Sequence, residues 1–177
     1  MNRLAVMLIG SVVLAGAVAF ATTASRTATA EEPTPVFVTE IPPGYRDWRL
    51  VSVAHEEGDL KDIRAVLGND AAINAYREGK LPFPEGAIIG RIAWSHVSSA
   101  ENDKAFGREQ SFVAGDPTKF YLQFMVKDSK TYAATGGWGY ASFDQDGKPS
   151  PESAMKTCFP CHQAVTDRDF VFTRYSP

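Results

Sequence analysis

Apolar residues fall along the chain in short blocks separated by polar and turn-forming residues, apart from one long run, Leu4 to Phe20, at the start. Beyond Gly44 each block predicts one element. Trp48 to Ala54, rich in valine and aromatic residues, predicts a strand, and Asp62 to Leu67 its antiparallel partner across the polar turn Glu56-Glu57-Gly58-Asp59. Ala71 to Glu78 predicts a helix, capped by Asn69 or Asp70 and stopped by Gly79. Ala87 to Trp94 is short and apolar enough for a buried strand, although Gly90 and Arg91 interrupt it. Ser98 to Glu109 is polar and reads as a loop. Lys119 to Lys127 has the aromatic and β-branched content of a central strand. Asp128 then caps a short helical turn through Tyr132, which Gly136-Gly137 ends. Trp138 to Phe143 predicts a further strand, closed by the tight turn Asp144-Gln145-Asp146-Gly147. Pro151-Glu152-Ser153 starts a helix that carries Met155 on to His162, and the alternation of Phe170 and Phe172 with polar residues predicts a last strand over Asp169 to Tyr175. There is no internal repeat. The sum is an α+β domain: an antiparallel sheet of five or six strands with a few short helices.

The long apolar run changes the picture of the N-terminus. With Arg3 before it and Ala28-Thr29-Ala30 after it, residues 1–30 read as a cleaved secretory signal. Gly10, Ser11 and Gly16 break the run, which is near the short end for a membrane-spanning helix. Residues 31–43, with Pro33, Pro35, Pro42 and Pro43, form an extended lead-in, and residues 44–177 form one domain. Cleavage removes Arg3 and Arg26 and no acid. From 18 Lys+Arg and 21 Asp+Glu this leaves 147 residues with a formal charge of −5. That balance argues against nucleic acid or an anionic membrane surface as a partner.

The chemistry is concentrated in Cys158-Phe159-Pro160-Cys161-His162. Two thiols at this spacing can add to the two vinyl groups of one porphyrin, and the following histidine is delivered to the iron as an axial ligand. A redox dithiol would usually sit near a βαβ pattern, and a zinc site would need a second ligand pair that no other cysteine supplies. The expected cofactor is therefore one covalently bound haem c, with Cys158 and Cys161 as attachment points and His162 as iron ligand. In bacteria such attachment takes place beyond the inner membrane, so the motif and the signal together predict a periplasmic protein. Both cysteines are used, and no intrachain disulfide is expected.

The motif closes a β-rich chain, whereas most small electron-carrying c-type cytochromes are helical and carry it near the N-terminus. Tyr45-Arg46-Asp47-Trp48, then Val126-Lys127-Asp128 with Gly137-Trp138, then the haem motif with Asp169-Phe170-Val171-Phe172-Thr173-Arg174-Tyr175 after it, resemble the cytochrome P-460 family, to which the cytochrome c′-beta proteins are related. The resemblance covers nearly all of residues 44–177. It implies a β-sheet monohaem domain, a homodimer, and an exchangeable or open distal site. Members oxidise hydroxylamine or bind nitric oxide and other diatomic gases. In hydroxylamine-oxidising members a lysine is joined to the porphyrin and a distal glutamate accepts protons; Arg91 and Gln123 fall at those places here. A guanidinium is a poor nucleophile, and glutamine has no titratable group. Lys119 and Lys127 lie close by.

The face of the haem away from His162 decides the function. His55, His96, Met125 and Met155 are the strong sixth-ligand candidates. Met155 is on the attachment segment itself, Met125 reads as a core residue, and both histidines read as solvated, so an open site is favoured. Phe120, Tyr121, Phe124, Trp138 and Tyr140 are equally consistent with pocket or core. Arg91, Gln123 and Phe124 are the candidate distal-pocket residues: Phe124 as a ring admitting diatomic gases, Arg91 either as a surface ion pair or as a buried guanidinium meeting a propionate or bound anion. Three functions follow: binding of a small gaseous or nitrogen-oxide ligand; oxidation of hydroxylamine or nitric oxide; and six-coordinate electron transfer to a redox partner.

Overall fold

The computed structural model describes residues 37–115 and 121–176, which fall within one compact unit. The signal segment, the start of the lead-in, Lys119 and Phe120 lie outside the described residues. The element order is β1 (Arg49–Glu56), β2 (Asp62–Gly68), α1 (Asp70–Glu78), β3 (Ile88–Ser98), α2 (Ala100–Phe106), β4 (Phe112–Ala114), β5 (Tyr121–Lys127), β6 (Trp138–Phe143), α3 (Glu152–Met155) and α4 (Cys158–His162). The six strands form one antiparallel sheet in the order β1-β2-β3-β5-β6, with short β4 paired to the far end of β3. No helix among the described residues is long and apolar enough to cross a membrane.

Local chemistry accounts for most boundaries. The Asn69 side chain accepts from the Ala72 amide and caps α1, and Gly79 ends that helix in the left-handed region at φ 61. The same Asn69 oxygen accepts from Ile88 N, and its amide donates to Gly86 O, tying α1 to the start of β3. The Asp144 turn forms as expected, with Asp144 Oδ1 accepting from Asp146 and Lys148.

Three expectations fail. Residues 100–106 are a helix rather than loop. Ser99 caps α2 and Gly107 stops it, but none of its residues is buried, so no apolar period announces it. The helix expected to run unbroken to His162 is divided at Lys156 and Thr157 into α3 and α4. The strand expected over Asp169 to Tyr175 is absent: Asp169 and Phe170 both adopt left-handed φ, 51 and 65, which turns the tail out of any ladder. Val171 is then buried, and Ser176 N donates to Val51 O at the other end of the tail.

Strand alternation gives the sheet two covered faces. On one, Val66, Ile89, Met125 and Tyr140 pack with Ile73 of α1 and with Val171. On the other, Ile92, Leu122, Phe124 and Phe143 pack under Val38, Ile41, Tyr45 and Trp48, so the lead-in already contributes to packing before Gly44. Gly90 belongs to this second face. A Cβ there would lie 2.9 Å from the Phe124 ring, which explains a glycine within an apolar strand.

Candidate functional site

A cavity of about 590 Å³ opens between the first face of the sheet and the C-terminal segment, within the roughly 300–1,000 Å³ usual for small-molecule and cofactor sites. Val66, Ile89, Met125 and Tyr140 form the apolar part of its wall, while Cys158, Cys161 and His162 border it from α4. The three motif residues thus converge on one space because five residues of helix carry them. Cys158 is half-buried and Cys161 exposed, and both are free thiols. Burial, and secondarily the neighbouring Cys161, hold the Cys158 thiol above its ordinary pKa.

His162 Nδ1 donates to the Phe170 carbonyl at 2.6 Å. Burial depresses the imidazole pKa against the smaller opposing effect of that hydrogen bond, and with Nδ1 donating, Nε2 is the nitrogen left for a metal. The Phe170 carbonyl is held in place by long-range contacts. Lys127 Nζ donates to both Asp169 oxygens at 2.8 and 3.0 Å, and Phe83 N donates to the same carboxylate at 2.8 Å. The Phe170 ring lies so close over Gly136 that any Cβ there would collide with it. Lys127 is therefore committed to Asp169 and to the face of Trp138.

The polar part of the wall comes from the sheet. Register sets Val66 opposite Arg91 and Arg91 opposite Gln123, so their side chains share the cavity face. Arg91 donates to Gln123 Oε1 at 2.6 Å and to Asp62 Oδ2 at 2.5 Å, and Arg64 grips both Asp62 oxygens at 2.7 and 2.8 Å. Burial first, and Arg64 second, lower the Arg91 pKa, while Asp62 opposes them. Asp62 and Arg64 escaped sequence reading. Two charges at i and i+2 around Ile63, within an otherwise apolar strand, were the available signal. Phe124 also borders the cavity, yet its ring is fully engaged on the opposite face, edge-on to Tyr45 at 5.5 Å and to Trp48 at 6.1 Å.

The wall suits a haem. It is mostly apolar with a polar end where Arg91 and Arg64 meet Asp62 and Glu56, two thiols lie at its rim, and a histidine nitrogen is free. Two buried polar atoms of cavity residues, Arg91 Nε and Tyr140 Oη, have no hydrogen-bond partner among the described residues. Both are donors sealed beneath the wall rather than open to the cavity. Of the sixth-ligand candidates, Met125 borders the cavity. Met155 is buried outside the cavity lining, and His55 and His96 pack against each other instead.

A family model described as Cytochrome P460 matches residues 42–173. No match was found among curated proteins.

Proposed function

Because the chain belongs to the cytochrome P460 family and is thereby a haem cytochrome, we propose that it is an exported, periplasmic monohaem protein that binds a small nitrogen-oxide or diatomic ligand. Cys158 and Cys161 hold the haem by two thioethers, and His162 Nε2 is the proximal ligand. Bound there, the haem supplies an iron that changes oxidation state by one electron and accepts small ligands on a free face. Arg91 and Gln123 offer hydrogen bonds to a haem propionate or to the bound ligand. The observation that carries this reading is the convergence of both thiols and the free histidine nitrogen on one cavity.

Ligand binding ranks above hydroxylamine oxidation because the Arg91 guanidinium is engaged by Asp62 and Gln123, and neither Arg91 nor Gln123 accepts a proton near neutral pH. Met125 in the cavity wall favours one second reading, a six-coordinate electron carrier with a thioether on the sixth position. Optical and electron paramagnetic resonance spectra of the purified holoprotein separate the two. A high-spin iron that responds to nitric oxide or carbon monoxide is expected. A low-spin iron that ignores both gases, and becomes high-spin in Met125→Leu, would replace ligand binding with electron transfer. Intact mass should equal the chain from Glu31 plus one haem, with no further crosslink.

A further inference from the structure

On the face of the sheet away from the cavity, His55 of β1 and His96 of β3 reach toward each other across the first residues of β2. Their strand positions explain the meeting: His55 pairs with Ile63, Ile63 with Trp94, and Trp94 and His96 share a face. The two Nε2 atoms are 2.9 Å apart with the rings nearly perpendicular, and Glu57 Oε1 is 3.3 Å from His55 Nε2. All three donor atoms lie within 4.8 Å of one another. The edge of the Phe112 ring, 5.6 Å from His96 by centroids, walls one side.

We propose that His55, His96 and Glu57 form a second metal site, for a divalent first-row ion of borderline softness such as Zn²⁺ or Cu²⁺. Two imidazoles and one carboxylate are the donors such ions select, whereas Mg²⁺ and Ca²⁺ require mostly oxygen. The spacing suits them. Tetrahedral coordination at about 2.0–2.1 Å sets neighbouring donor atoms about 3.3 Å apart. The His55–Glu57 pair already has that separation, and the two imidazoles need to open by only a few tenths of an ångström. A bare hydrogen bond between the rings uses a single lone pair, and one His55 N–H cannot serve both His96 and Glu57, whereas an ion would bind all three. Exposure of His55 and Glu57, at 48% and 74% of their side chains, gives an ion direct entry and leaves water for the remaining position.

The test titrates the tag-free holoprotein with Zn²⁺ by calorimetry, beside His55→Ala, His96→Ala and Glu57→Gln, with the haem absorption spectrum as the check that each variant is folded. One Zn²⁺ per chain is expected. Since even an outer partner of a metal ligand costs about 10–100-fold in affinity when removed, either histidine variant should lose more than about 100-fold. Loaded with Cu²⁺ instead, the wild type should give hyperfine coupling from two nitrogens and each histidine variant from one. Failure of the wild type to take up Zn²⁺, equal affinity in the histidine variants, displacement by excess Mg²⁺, or copper without nitrogen coupling would each overturn the site.

Discussion

Asp62 is the residue on which the polar end of the cavity turns. Only 6% of its side chain is exposed, and it faces two guanidinium groups that are 14% and 19% exposed. Replacing it with alanine leaves two buried cations without their shared anion, and the expected cost is about 3–5 kcal/mol, read from urea unfolding. His162 has a different signature. If Cys158 and Cys161 hold the haem by thioethers as proposed, His162→Ala should keep the haem while changing its spin state, and an unaltered spectrum would remove it from the iron. Gly136 acts through a neighbour. It combines a φ of 69 with contact against the Phe170 ring, so Gly136→Ala introduces backbone strain and a collision together. A loss of about 2 kcal/mol or more is expected from overpacking, with a shifted haem spectrum because the carbonyl that receives His162 Nδ1 must move. The cysteine motif was legible at this scale because its spacing is local. The Asp62–Arg91 and Lys127–Asp169 pairs were not, since they join different strands or distant parts of the chain.

At the scale of elements, side-chain caps decide where segments stop. The Asn69 side chain makes three hydrogen bonds, one to its own helix and two to the approach to β3. Loss of a cap costs about 1 kcal/mol and each further bond adds a comparable amount, so Asn69→Ala should destabilise by about 2 kcal/mol or more in thermal or urea unfolding. Three exposed carboxylates fasten loops in the same way. Asp103 is held below the usual carboxylate range by the Ser98 hydroxyl and the Gln110 and Ser111 amides, Asp128 by the Thr131 amide and hydroxyl, and Glu85 by the Ser129 hydroxyl and amide. Their pKa values are lower folded than unfolded. The stabilisation is thus complete above the unfolded values near 4 and is lost as pH falls through the folded ones. The melting temperature should fall as pH drops below about 4, and Asp103→Asn should flatten that decline. α2 is the instructive miss. Ser99 and Gly107 bound it in the structure, but with no residue buried it lacks the apolar stripe by which helices are recognised.

For the whole molecule, the sheet has a core on each face, and the cavity interrupts only one of them. A chain made without haem attachment has nothing to fill the cavity that Val66, Ile89, Met125 and Val171 line. The holoprotein should melt at a higher temperature than that chain, because the folded state gains the contacts between the haem and the apolar wall. Equal melting temperatures would mean that the cavity is not where the haem binds.

The α+β class, the hairpin of β1 and β2, the capped helix α1 and the two thiols beside a histidine were all determined by residues within a few positions of one another. Interactions of that range are fixed before the chain is packed. Tertiary structure decided the rest. Strand alternation offers two faces without saying which one the C-terminal segment will cover, and a shift of one residue would exchange them. Register therefore sent Arg91 and Gln123 into the cavity and the Phe124 ring away from it. Packing joined Lys127 to Asp169, and through that anchor it aimed the Phe170 carbonyl at His162. It also brought together His55 and His96, 41 positions apart in the chain, across β2.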